Sequence, residues 1–333
     1  MIYDIHVHVA GLSPIPPNNR PQPLAGRGFL LRCFARRLSA PLGTDPTVEQ
    51  IDRMKQRFLS WIETSTVDRM VVLALDGAHH PDGTPDWGNT ILMSTNSEVA
   101  DLVSMHRKLL FGASIHPARP DTLSEIDHVV KRGACLVKWI PSAQNICPDD
   151  PVCIPFYEAI AHHGLPLLVH TGNEHTLRRF HNTLNDPRRL TTALDRGVTV
   201  IAAHCGTRLF LHEKTYFSHW KRMALEYERF FGDLSAFALP LHGGPLKDIL
   251  GCQTLLSKVL YGSDFPAITA PFWHLPKLGL GPVLRLSRTE NPFDNTYLTM
   301  KELGVPDEVF KRAKAVLKLR NDRASPNPLT TEL

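Results

Sequence analysis

Two histidines two residues apart, His6 and His8, stand in the first apolar run of the chain, Ile2–Val9. In an extended strand that spacing turns both imidazoles to one face. Three later apolar runs close on residues of related chemistry: Val169-His170-Thr171-Gly172, Ala203-His204-Cys205-Gly206 and Gly262-Ser263-Asp264-Phe265-Pro266. Imidazole nitrogens and a carboxylate oxygen are the donors that borderline divalent metals such as zinc accept. Any one of these residues alone reads more readily as a hydrogen-bonded core or loop residue, and a lone His-x-His arises often by chance. Five of them at matching ends of four strands read as a metal site, because ionisable groups gathered in one mouth are costly unless paired or metal-bound.

The elements that must position them recur along the chain. Short, nearly continuous apolar runs predict strands over Ile2–Val9, Val67–Asp76, Leu109–His116, Cys135–Ile140, Leu165–Thr171, Val198–His204, Phe230–Phe237 and Val259–Asp264. Such runs suit strands buried on both faces. Helical patterns lie between several of them, over Val48–Glu63, Asn96–His106, Leu123–Lys131, Phe156–His163 and Pro187–Asp195, with a closing helix over Pro306–Lys318. Eight strands alternating with helices predict a single (β/α)₈ TIM barrel over 1–320, whose active site lies at the C-terminal ends of the strands. Gly11–Pro46 carries seven prolines and the basic, apolar stretch Phe29–Arg37, too long for a minimal barrel loop. It is expected to be a lid or subunit-contact insertion, and Asn321–Leu333 a flexible tail.

Composition narrows the class. The 333 residues are 43% hydrophobic and 21% charged, a globular balance, with a net charge of +4. That charge mildly favours anionic small molecules, and without a basic stripe interleaved with aromatics no nucleic-acid partner is expected. No run approaches a membrane span of roughly 18 apolar residues. Because Ile2–Val9 already reads as a strand, no leader is expected. Six cysteines without a CxxC pair suggest reduced thiols and a cytoplasmic setting.

The His-x-His of strand one, the histidines ending strands five and six and the aspartate ending strand eight resemble the amidohydrolase superfamily. More narrowly, the chain is similar to the amidohydrolase-related family that includes aminocarboxymuconate-semialdehyde decarboxylase and related aromatic-acid decarboxylases. Gly112–Pro117, the Leu-Val-Lys of strand four and Tyr261-Gly-Ser-Asp-Phe-Pro266 carry the same resemblance. It implies His6, His8, His170 and Asp264 as ligands of one divalent metal, zinc or alternatively manganese, iron or cobalt, with His204 as the acid–base residue. Related decarboxylases also suggest a homodimer. Binuclear members of the superfamily place a carbamylated lysine where Lys138 ends strand four, which would make His204 a ligand of a second metal. The narrower family favours one metal, with Lys138 as a charged mouth residue.

Further candidates sit at strand ends and the loops beyond. His116 and Asp76 read equally as site contacts or structural residues. Arg208 could clamp a substrate carboxylate bidentately or form a surface ion pair. Glu174 and His175 could orient ligands or substrate. His79 and His80 read as solvent-facing, and His162 and His163 as a helix terminus. The Arg32/Arg36/Arg37 cluster reads as a solvated helix face or a carboxylate-binding lid. Alternation points Cys205 away from the side His204 faces. The expected activity is hydrolysis of a small lactone, amide or ester by metal-activated water. The alternatives are nonoxidative decarboxylation of an aromatic or unsaturated acid, and a barrel that binds metal without catalysis.

Overall fold

The computed structural model describes residues 1–9, 14–16, 20–21, 48–177, 179–240, 242–267 and 269–319. Eight strands run parallel in chain order: β1 (Tyr3–His8), β2 (Arg69–Leu73), β3 (Leu109–Ala113), β4 (Ala134–Trp139), β5 (Leu167–His170), β6 (Val200–Ala203), β7 (Phe230–Asp233) and β8 (Val259–Leu260). Backbone bonds close the sheet: Ile5 N–H donates to Tyr261 O at 3.1 Å and His8 N–H to Phe265 O at 2.8 Å. Helices α1 (Val48–Thr64), α2 (Asn96–Ser104), α3 (Thr122–Lys131), α4 (Ile154–His163), α5 (Thr191–Asp195), α6 (Phe217–Glu226) and α7 (Leu246–Leu250) follow β1 to β7 in turn. This is the predicted TIM barrel. No helix among the described residues is long and apolar enough to cross a membrane.

Two apolar clusters sort the strand residues into an outer and an inner face. Met70, Val72, Val137, Trp139, Leu167, Val169, Val200 and Ala202 pack outward with helix residues such as Phe58, Phe156 and Trp220. Val71, Leu136, Leu168, Ile201 and Leu260 pack inward, with Ala313 and Leu317 of the C-terminal segment among them. Trp139 stacks on Phe156 of α4 at 4.6 Å, so strand alternation sends Lys138 inward. The same alternation brings His170 and Asp233 in, each two residues beyond an inner apolar side chain.

The strand ends differ from the sequence expectation where the chemistry sits. β6 stops at Ala203, where His204 turns to positive φ, 59°; β8 stops at Leu260, and Asp264, four residues on, also adopts positive φ, 58°. That left-handed region costs L-residues roughly 1–2 kcal/mol each and aims their side chains where strand alternation would not. The expected helix over 187–195 opens as a 3₁₀ turn, Pro187–Leu190, before α5. The expected closing helix is two short pieces, Asp307–Lys311 and Ala313–Val316. Of the insertion, Pro14–Ile15 pairs antiparallel with Arg20–Pro21 and Pro16 follows in a turn; the rest, including Phe29–Arg37, and the tail 321–333 lie outside the described residues.

Candidate active site

β1 delivers its two histidines through an irregularity. Its pairing with β2 slips between Asp4 and Val7. Tyr3 and Ile5 therefore pack in the inner cluster, whereas Val7 and Val9 pack in the outer one. The inner parity passes from odd to even residues, and His6 and His8 face the barrel lumen. Room for His6 comes from Gly262: a Cβ there would stand 2.7 Å from His6 Cβ and 3.2 Å from Ser235 Cβ. Gly262→Ala is expected to cost about 1–3 kcal/mol by overpacking and to weaken metal retention by displacing His6. Thermal unfolding and metal analysis check this, and a variant equal to the parent in both would reject the role.

The five predicted residues converge. His6 Nε2 lies 3.0 Å from His8 Nε2 and 3.3 Å from Asp264 Oδ1, which is 3.7 Å from His8 Nε2. The rings of His170 and His204 meet edge to face at 4.9 Å, and those of His6 and His204 stand 5.4 Å apart. Ligand atoms of His6, His204 and Asp264 all fall within 4.8 Å of one another. Atoms bound tetrahedrally at metal–ligand distances of 2.0–2.2 Å stand about 3.4 Å from each other, which these separations bracket. Lys138 Nζ is 3.1 Å from His6 Nε2. His170 Nε2 is buried without a hydrogen-bond partner among the described residues, with Glu174 Oε2 at 3.7 Å. Imidazole nitrogens turned toward one another beside a carboxylate, one of them without a hydrogen-bond partner among the described residues, are the donor set a divalent cation requires, so the residues present fit a metal.

Proton bookkeeping fixes the tautomers. His6 Nδ1–H donates to Asp233 Oδ2 at 2.8 Å, which leaves the lone pair on Nε2. His204 Nδ1 meets the Ser235 carbonyl at 3.1 Å and Ser235 Oγ at 2.9 Å. The carbonyl can only accept and the Ser235 hydroxyl gives its proton to Asp233 Oδ1, so Nδ1 carries hydrogen and Nε2 the lone pair. Asp233 Oδ1 also accepts from the N–H groups of His204 (2.9 Å) and Ser235 (3.1 Å). Asp4 Oδ1 ties β1 to the end of β8, accepting from His6 N–H at 3.1 Å and Ser263 N–H at 2.9 Å.

Burial governs the charges. It pushes the His6 imidazole down to about 4, with Lys138 acting in the same sense. His8, His170 and His204 lie well below the usual histidine range for the same reason. Neutral imidazole is the ligating form. Burial also lowers Lys138 to about 8 against the pull of Asp233, Asp264 and Glu174. Burial lifts the Asp264 carboxyl well above the carboxylate range, Lys138 opposing and Asp233 and Glu174 reinforcing; a cation in the pocket would favour its ionised form. Burial opposes ionisation of Asp233 too, but the charge and hydrogen bond of His6, then His204 and Ser235, hold it below its ordinary value.

Other expectations are redirected. His116 donates from Nε2 to Gln144 O at 3.0 Å and accepts Ala118 N–H on Nδ1 at 3.1 Å, so both nitrogens are spent on backbone. Asp76 Oδ2 accepts from His116 N–H and Arg119 Nη1, again in the scaffold. His79 is not solvent-facing: it is buried and stacks on His116 at 4.5 Å. Arg208 Nη1 donates to Leu211 O at 2.9 Å and Glu213 O at 3.1 Å, fastening its own loop. Glu174 Oε1 accepts from Thr176 and Leu177 N–H, which leaves Oε2 toward His170. His175 pairs with Glu213 at 2.8 Å. Cys205 is buried in the outer cluster and donates to Asp233 O at 3.2 Å. Asp233, Ser235, Asp4 and His242 were not foreseen. Asp233 carries the signal that found His170, an ionisable residue closing an apolar run, whereas His242 lies in the loop after β7 with no spacing signal.

A TIM barrel whose mouth gathers histidines around a carboxylate defines a class of enzyme. The chain belongs to the amidohydrolase family, whose model matches residues 72–290; the match begins after His6 and His8, which barrel closure adds to the site. No curated protein sequence matches the chain. Its fold is similar to that of an uncharacterized TIM-barrel protein from Bordetella bronchiseptica (14% identity, TM-score 0.58, covering 96% of this chain and 99% of that one). It is also similar to a putative 2-pyrone-4,6-dicarboxylic acid hydrolase from Pseudomonas putida (14%, 0.54, 96% and 98%). A third similar fold is 5-carboxyvanillate decarboxylase from Sphingomonas paucimobilis (13%, 0.55, 96% and 99%).

Proposed function

We propose that the enzyme is a metal-dependent hydrolase acting on a small lactone, amide or ester, with His6, His8, His170 and Asp264 holding one zinc ion. The reading is supported by His6 Nε2, His8 Nε2 and Asp264 Oδ1 lying within 3.7 Å of one another, with the His170 ring, its Nε2 unpartnered among the described residues, against that of His204, whose own Nε2 lone pair is uncommitted. A divalent cation held there supplies an electrophilic centre and makes the water it binds acidic near neutral pH. His204, braced at Nδ1 by Ser235, takes a proton from water on Nε2 and returns it to the leaving group. Asp264 shares this task through its second oxygen. Lys138 places a cation beside His6, where negative charge develops on the attacked carbonyl. The name of the pyrone hydrolase supports a carboxylate-bearing substrate, in keeping with the net charge. The free thiols of Cys135, Cys147, Cys153, Cys205 and Cys252 support a cytoplasmic setting.

The test is turnover of a lactone, ester and carboxylic-acid panel before and after chelation. Hydrolysis that disappears with the metal and returns on zinc addition is expected, with one metal equivalent per chain. Full activity in the metal-free protein would overturn the mechanism. Two equivalents, with Lys138 carbamylated, would replace the mononuclear assignment. Carbon dioxide released from an acid without net water consumption would select the decarboxylase instead.

A further inference from the structure

His242 lies outside the ligand set yet is built into the mouth. The loop after β7 carries it to within 5.5 Å of the His204 ring, and it is almost fully buried. The loop is pinned on both sides. Beside His242, a Cβ on Gly243 would stand 2.4 Å from Phe237 O, so the chain turns there only with glycine. His274 Nε2 fastens the same loop, donating to Ala238 O at 2.7 Å.

The proton on His242 is also placed. Thr207 has one hydroxyl hydrogen, and it goes to the carbonyl of His204 at 2.8 Å. With the hydroxyl hydrogen so placed, His242 donates from Nδ1 across its 2.7 Å contact with Thr207 Oγ1. The lone pair sits on Nε2, which has no partner among the described residues and is not one of the sealed, unsatisfied atoms. A rigid imidazole with its acceptor nitrogen open beside the acid–base histidine recognises a hydrogen-bond donor.

We propose that His242 is a specificity residue that accepts a hydrogen bond, through Nε2, from a hydroxyl or amide N–H on the substrate or product. This rests on the hydrolase reading only for the identity of the substrate; the donor requirement stands on the tautomer. A site built around one acceptor rejects an analogue that cannot donate, because its own lone pair is left buried and unpaired.

Calorimetric binding to the metal-loaded protein tests it with γ-hydroxybutanoate and δ-hydroxypentanoate, ring-opened lactone products, each against its O-methyl ether. The hydroxy acid is expected to bind about tenfold more tightly than the ether. His242→Asn keeps the donor to Thr207 but removes the distal acceptor, and should bring the two within about twofold at unchanged metal content. Thr207→Val keeps the imidazole but releases its tautomer, and should erode the preference as well. Equal binding of acid and ether by the parent protein, including no binding of either, overturns the proposal, as does a preference that survives His242→Asn. A preference lost in that variant, in a protein that hydrolyses no lactone, would leave the donor site standing and remove the hydrolase reading.

Discussion

Replacing His170 with alanine is expected to abolish retention of divalent metal and to lower turnover a thousandfold or more, since water loses the acidification that a bound cation supplies. Asp264→Ala should do the same. The two losses should occur without unfolding. His170 Nε2 has no protein partner to lose among the described residues, and removing the buried Asp264 carboxyl relieves its burial cost, while alanine keeps the Cβ and with it the strain of the positive φ. The stability comparison must be made metal-free, because a ligand that binds only the folded state stabilises it by mass action. Metal analysis after gel filtration, paired with unfolding in excess chelator, reads both quantities. A His170→Ala protein that keeps a full metal equivalent would remove that residue from the ligand set.

Most of the barrel was legible because periodicity reports burial. Seven strands of the barrel fall within their predicted runs and β4 starts one residue ahead of its own, at Ala134, since a strand covered on both faces must be nearly all apolar. The ionisable residues that interrupt those runs stood out for the same reason. What periodicity could not report was backbone conformation at the strand ends. His204 and Asp264 occupy the left-handed region, and nothing in Ala-His-Cys-Gly or Gly-Ser-Asp-Phe marks that departure.

β1 makes the same point from the other direction. The spacing of His6 and His8 puts them on a common face, and they share one. Which face that is depends on the slip between Asp4 and Val7; unbroken alternation from Tyr3 would have turned both histidines toward the helices. Arg208 and His116 show a second limit. Both lie in loops or at strand ends where a substrate contact is plausible by position, but carbonyls and amides in their own neighbourhoods claim them first. Hydrogen-bond satisfaction is a property of the folded loop, and a single sequence does not display it.

Asp233 offers the sharpest test of how the site is held. Its Oδ1 accepts from three donors on the His204–Ser235 segment, and its Oδ2 accepts from His6 Nδ1–H alone. In Asp233→Asn the amide oxygen must stay with the three donors, which turns the NH₂ group toward His6. Two donors would then face each other at a distance now spanned by a 2.8 Å bond. The ring can escape by shifting its proton to Nε2, and that shift removes the lone pair aimed at the metal. Metal affinity is therefore expected to fall about 10–100-fold with the fold largely kept, as chelator competition would show. Asp233→Ala leaves all four donors buried and unanswered and should cost about 3–5 kcal/mol of stability as well. An asparagine variant with the parent's metal affinity would mean that His6 is oriented by its barrel neighbours and not by Asp233.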